Sequence, residues 1–335
     1  MNIYDLTYKQ LEDYFINNKE AKFKATQVFD WLYKKEITSF DDMKNIKKSV
    51  IEKLKEDFTL NLLKIVTEKN DKDVSKFLFN LEDDLKIEAV LMKHNYGLSL
   101  CISTEVGCNM GCAFCESGKL KRRRALRTYE MLLQVITVER KINKRIDSIV
   151  LMGIGEPFNN FDNVINFIDI ITCNKGMDKS MRKITVSTSG IVPKIKEFAQ
   201  RKMGVNLAIS LHASNDEVRS LIMPVNKVYN IKELISSIKY YLGVAGRRVT
   251  IEYVLLDNIN DKKVHAKELS NLLKGLNVYV NLIPYNETSG IFKRSKKENV
   301  LNFYDILKKN NIDVTIRREF GSNIDAACGQ LSSKY

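Results

Sequence analysis

Apolar residues recur three and four positions apart through the first sixty residues. The segments TYKQLEDYFINN (7–18) and KATQVFDWLYKKE (24–36) read as amphipathic helices, and SFDDMKNIKKSVIEKLKEDF (39–58) opens on Ser39 as a candidate N-cap. SKFLFNLEDDLKIEAVLM (75–92) then reads as two short strands around a turn at Glu82, Asp83 and Asp84. From Gly97 the rhythm changes. Strand-like runs LSLCIST (98–104), DSIVLMG (147–153), KITVSTSG (183–190), VNLAISLH (205–212), VTIEYVLL (249–256) and VYVNLIPY (278–285) alternate with helix-like runs at 129–142, 164–172, 193–202, 231–242 and 263–273. A late run, VTIRREF (314–320), adds a further strand. Strands alternating with helices predict an α/β chain built on a parallel sheet. The expected organisation is a helical accessory domain at 1–65, a β-hairpin extension at 66–95, and a β/α core at 96–335 ending in a C-terminal tail.

The strand ends carry GIGEP (153–157), STSG (187–190), SLH (210–212) and IPYN (283–286). In β/α barrels the chemistry sits where the strands finish, so four small or polar sets at successive ends predict one shared site. At 335 residues and 44% hydrophobic, the chain can bury a large core. No apolar run reaches the about eighteen residues a membrane span requires, and the N-terminus lacks a signal-peptide pattern, so no membrane partner and a cytoplasmic location are expected. A net charge of +13 favours a polyanionic partner such as nucleic acid.

Three of the six cysteines, Cys108, Cys112 and Cys115, form a C-x3-C-x2-C group on the loop after the first core strand. A disulfide uses two thiols and a closed zinc site four ligands. Three thiolates suit a four-iron cluster whose fourth iron stays open to a small chelate. A zinc ion completed by Cys101, Cys328 or a histidine is the alternative, and with it a non-catalytic RNA-binding protein.

This loop, with Phe114 ahead of its third cysteine, resembles the radical S-adenosylmethionine (SAM) signature. That resemblance implies a partial (β/α)6 barrel, a [4Fe-4S] cluster on Cys108, Cys112 and Cys115, and SAM bound at the open iron and cleaved to a 5′-deoxyadenosyl radical. CISTEVGCNMGCAFC, LMGIGEPFNN, AISLHASNDEVRSLIMPVN, VNLIPYN and VTIRREFGSNIDAACGQL together resemble the bacterial 23S rRNA adenine-C2 methyltransferase family, whose relative methylates C8 and confers antibiotic resistance. AKFKATQVFDWLYKKEITSFDDM resembles the N-terminal domain of the C2 enzymes.

The resemblance implies a substrate, adenosine 2503 of 23S rRNA with adenosine 37 of tRNA as a second, and a route. Cys328 carries a methyl group as S-methylcysteine. Its carbon is joined to the adenine as a protein–RNA adduct, Glu88 accepts the ring proton, and Cys101 resolves the adduct by forming a disulfide with Cys328. Gly155, Glu156, Ser187, Ser210, Leu211, His212 and Asn286 stand at the family's SAM contacts. A flavodoxin or ferredoxin as reductant, and a monomer, are the partner and state it implies.

The run KLKRRRALR (119–127) follows the cysteine loop without an acidic residue. Lys119, Lys121, Arg122, Arg123, Arg124 and Arg127 are candidate contacts to RNA phosphates. Here the chain departs from the family, which carries glycines and then Arg-Asn-Leu where this sequence reads Arg124-Ala125-Leu126.

Overall fold

The computed structural model describes residues 1–318 and 324–331. The chain begins with three helices, α1 (Tyr8–Asn17), α2 (Phe23–Tyr33) and α3 (Lys48–Asp57). Thr7 starts α1 with a reciprocal cap, its hydroxyl accepting from the Gln10 amide while the Gln10 side chain accepts from the Thr7 amide. A meander of β1 (Lys64–Asp71), β2 (Val74–Asn80), β3 (Lys86–His94) and β4 (Gly97–Cys101) follows. A two-residue ladder, β5 (Glu105–Val106) with β6 (Arg124–Ala125), closes the base of the cysteine loop.

The β/α core then runs α4 (Thr128–Ile142), β7 (Ser148–Leu151), α5 (Phe161–Thr172), β8 (Ile184–Thr188), α6 (Val192–Gln200), β9 (Asn206–Ser210), α7 (Asp216–Ile222), α8 (Ile231–Ala245), β10 (Val249–Leu255), α9 (Lys263–Leu273), β11 (Val278–Pro284), α10 (Lys297–Lys309) and β12 (Val314–Ile316). Of the late expected strand, Glu319 and Phe320 lie outside the described residues. Asn230 and Glu233 cap α8 reciprocally, and Gly246 ends it in the left-handed region at φ +64.

Among the described residues one ten-stranded sheet has the order β1-β2-β3-β4-β7-β8-β9-β10-β11-β12. The meander pairs antiparallel; from β4 onward every neighbour is parallel. No pairing closes β1 onto β12 among these residues, so the barrel is partial. All parallel strands point their C-terminal ends to the same side, which gathers the motif-bearing loops at one mouth.

The N-terminal helices share the main apolar core, in which Tyr4, Phe29 and Tyr33 join Leu132, Phe167 and Ile171. Polar contacts fix the seam. Asp5 accepts from the Tyr129 amide at 3.0 Å, and Arg140 of α4 donates to the carbonyls of Glu36 and Ile37. The sequence pattern left α7, α10 and β1 unassigned. β1 is an edge strand with charged residues at both ends, a composition that discourages edge-to-edge pairing and masks strand alternation.

Candidate active site at the open end of the barrel

The cysteine loop is shaped by glycines. Gly107, at φ +75, leaves only 2.3 Å between a notional Cβ and the Lys121 carbonyl oxygen, so no other residue fits that turn. Gly118 packs on the Cys112 backbone, where a Cβ would lie 2.7 Å from the Cys112 carbonyl oxygen. The Ala113 amide donates to the Ile222 carbonyl (2.9 Å), which fixes the loop to the end of α7. Burial pushes the Cys108 thiol up to about 12, and burial followed by the charges of the neighbouring cysteines raises Cys112. Burial raises Cys115 as well. Thiols buried in this way bind a metal centre only by giving up their protons to it. Three soft thiolate donors on one short loop suit a four-iron cluster that keeps one iron open to a small chelate.

The thiols line an open cleft together with Gly155, Glu156, Ser187, Ser210, His212 and Asn286. Glu156 is buried, and its carboxylate accepts from the Phe158 amide (3.0 Å) and the Ser189 amide (2.7 Å); burial raises its pKa against those bonds. Gly153 and Gly155 are required by the protein itself. A Cβ at Gly153 would lie 2.6 Å from the Ile102 carbonyl oxygen, and one at Gly155 would lie 2.6 Å from Glu105 Cβ, with φ +109. His212 sits at φ +55 with Nδ1 accepting from the Val254 amide at 3.0 Å, while Phe114 meets its ring edge-on. Burial, then the Arg219 charge, pushes the imidazole down to about 3, so it is neutral at any physiological pH.

Leu211, between Ser210 and His212, has its side chain fully buried in the main core, and its backbone carbonyl accepts from Arg219 (3.1 Å). Arg219, which sequence reasoning passed over, is itself fully buried and also donates to the carbonyls of Ser189 (2.6 Å) and Ser210 (3.4 Å). One guanidinium thus ties the ends of β8 and β9 together beneath the cleft. Glu105 was missed too. Fully buried, it accepts from the Glu156 amide (2.9 Å) and from Arg122 (2.5 Å). Only partners distant in sequence reveal either role.

A second cavity adjoins the first and is lined by Cys101, Cys115, Cys328, Val90 and Arg317. Cys328 lines both cavities, and both Cys101 and Cys328 are free thiols. Burial, then the nearby Cys328, raises Cys101 to about 12. Arg317 lies close enough to interact electrostatically with Cys328, Glu252 and Cys101. The segment bearing Cys328 is anchored to the cysteine loop, with the Glu116 amide donating to Gly329 O (2.7 Å) and Ser117 Oγ to Leu331 O (2.7 Å). Glu88 lines neither cavity. It lies fully buried on β3, two residues from Val90 and on the same face, paired with Lys76 at 3.2 Å.

The basic run divides in two. Arg122 is spent on Glu105, Arg124 grips Glu130 and Asp83, and Lys119 pairs with Glu116. Lys121, Arg123 and Arg127 are exposed and, among the described residues, lie in no salt bridge.

The sequence model of the radical SAM superfamily matches residues 102–269, and that of the ribosomal RNA large subunit methyltransferase N-terminal domain matches residues 1–60. A probable dual-specificity RNA methyltransferase RlmN of Acholeplasma laidlawii is 49% identical over 100% of this chain and 99% of its own length. The chain belongs to the RlmN family. The RlmN protein of Enterococcus faecalis is 51% identical over 99% of this chain and 96% of its own. A radical SAM methyltransferase crystal structure from Sphaerobacter thermophilus superposes over the whole of both chains with a TM-score of 0.94 at 39% identity. The protein is therefore a radical SAM RNA methyltransferase with the partial barrel of that fold, and its cofactors are a [4Fe-4S] cluster and SAM. Among the described residues no helix is long and apolar enough to cross a membrane.

Proposed function

We propose that this RlmN-family enzyme methylates C2 of adenosine 2503 in 23S rRNA, and of adenosine 37 in tRNA, through Cys328 and Cys101. The observation that carries the reading is the position of Cys328. It lines both the cleft of the three-cysteine loop and the adjoining cavity where Cys101 waits. The match of residues 1–60 to the ribosomal RNA methyltransferase N-terminal domain supports the C2 branch over C8, as does the Phe292–Arg294 segment.

Cys108, Cys112 and Cys115 would hold the cluster, and Gly155, Glu156, Ser187, Ser210, Leu211, His212 and Asn286 would surround SAM. Bound there, these cofactors supply a methyl group and the means of activating it as a radical. The protein's own part is nucleophilic and acid–base chemistry. The Cys328 sulfur accepts the methyl group, because adenine C2 is too poor a nucleophile to take it directly. Once that carbon is bonded to C2, Glu88 accepts the ring proton. The Cys101 thiolate then attacks Cys328 Sγ. The S–C bond breaks, its electron pair passes to the former methylene carbon, and protonation there completes the new methyl group. The resulting disulfide needs a two-electron reductant before the next cycle. A flavodoxin or ferredoxin as electron donor, a monomeric enzyme and a cytoplasmic location complete the proposal.

The test is Cys101→Ala in cells that lack the native gene. The variant should accumulate protein covalently joined to RNA, while the wild-type gene restores 2-methyladenosine, resolved from 8-methyladenosine by mass spectrometry of the RNA. Normal product release by Cys101→Ala, or 8-methyladenosine as the product, overturns the corresponding half of the reading.

A further inference from the structure

The antiparallel meander sets up a row of side chains across the sheet. Lys76 on β2 stands opposite Val90 on β3, Val90 opposite Cys101 on β4, and Cys101 opposite Val150 on β7. Residues in register share a face, so Lys76 projects on the side where Val90 and Cys101 line the cavity of Cys328. Glu88, two residues from Val90, shares that face. Lys76 is 3% exposed and Glu88 0%, and the ammonium lies 3.2 Å from the carboxylate. The same ammonium donates to the carbonyl of Asp325 at 3.1 Å, across 249 residues of chain. The Glu88 backbone is held in turn, its carbonyl accepting from Ser103 Oγ at 2.6 Å.

A lysine buried this deeply is costly, and it persists only where its charge is paired and its protons are used. Here they reach two groups that the proposed mechanism must keep in step, the base and the segment that carries Cys328. We infer that Lys76 is the positioning residue of this site: it aims the Glu88 carboxylate and, through Asp325, pins the Cys328 segment over the same row as Cys101. This rests on the proposed roles of Glu88 and Cys328. Two consequences are separable. Loss of the ammonium frees the segment whether or not Glu88 is the base, and it slows adduct breakdown only if Glu88 is.

The experiment measures amide hydrogen exchange over 324–331 in the full-length protein, and protein–RNA adduct during turnover. The variants are Lys76→Met, Lys76→Arg and Glu88→Gln. Lys76→Met should exchange this segment at least about fivefold faster than wild type, as expected when a tether between packed elements is removed. Glu88→Gln, which keeps the ammonium and its bond to Asp325, should not. Adduct should build up in both Lys76→Met and Glu88→Gln, and Lys76→Arg, which restores charge and donors, should lower it again. Lys76→Met takes the ammonium away from a buried carboxylate. If that variant does not fold, the double variant Lys76→Met/Glu88→Gln, which removes the charge with its partner, takes its place in the exchange measurement. Wild-type exchange over 324–331 without the ammonium overturns the tether. Fast turnover without adduct in Glu88→Gln overturns the base assignment instead and leaves the exchange result to judge Lys76.

Discussion

His212 joins a backbone demand to a chemical one. Its φ of +55 is uncommon for a residue bearing a Cβ, and its Nδ1 must accept from the Val254 amide, which leaves any proton on Nε2. Burial holds the ring neutral, with a pKa near 3 against 6.5 for a free imidazole. The unfolded chain therefore binds a proton at this residue between those values and the folded chain does not. Its contribution to stability is complete above 6.5 and is lost as pH falls toward 3. His212→Asn keeps an acceptor and tolerates the positive φ. Chemical denaturation should show the difference in stability between wild type and variant shrinking or reversing as pH drops from 7 to about 4. A difference that is flat with pH would remove the neutral imidazole. At this scale the cysteines were readable, because a metal-binding triplet is local in sequence. Arg219, Glu105 and Lys76 were not, because each is identified by partners from distant strands that only the folded sheet brings near.

Elements decide what a run of like charges means. From Lys119 to Arg127 the sequence is a cationic stretch, yet β6 and the start of α4 turn alternate members inward onto carboxylates. Arg124 makes two bonds of 2.8 Å to Glu130, which is 1% exposed, and two more to Asp83. Arg124→Ala strands a buried carboxylate and should cost roughly 1–3 kcal/mol in chemical denaturation. Lys121→Ala/Arg123→Ala touches exposed side chains only and should leave stability within about 0.5 kcal/mol of wild type. The RNA-binding consequence runs the other way. The exposed pair should flatten the slope of log K against log salt by about 0.7–0.9 for each phosphate that is no longer neutralised. An unchanged slope in the double variant would remove these two residues from the RNA interface. The alternation of strands and long helices was legible because each core helix buries one face and each parallel strand is a nearly continuous apolar run. Seven-residue α7 offers too few turns to show a period, and its N-cap Asn215 is recognisable only once its side chain is seen accepting from the Val218 amide.

Among the described residues the main apolar cluster runs from the N-terminal helices into the barrel, although residues 1–60 match a sequence model of their own. Gly176, between α5 and β8, lies at the seam. A Cβ there would stand 3.1 Å from Tyr33 Cδ2 and 3.3 Å from Phe29 Cδ1, both on α2. These rings are fully or almost fully buried, with Tyr33 packed edge-on against Tyr4 and tilted against Phe29. A methyl group at Gly176 would crowd this buried aromatic cluster by a few tenths of an ångström, and overpacking of this kind costs about 1–3 kcal/mol. Gly176→Ala should destabilise the protein by that amount in chemical denaturation. Because one core spans helices and barrel, it should do so in a single transition followed equally by Trp31 fluorescence on α2 and by circular dichroism of the whole chain. Two separated transitions, with the fluorescence change moving alone, would mean that the N-terminal helices fold as an independent unit. The single transition carries a functional corollary. If α1 to α3 contact RNA, they do so as a rigid extension of the barrel wall, so a seam substitution that leaves the protein folded should leave RNA affinity close to wild type.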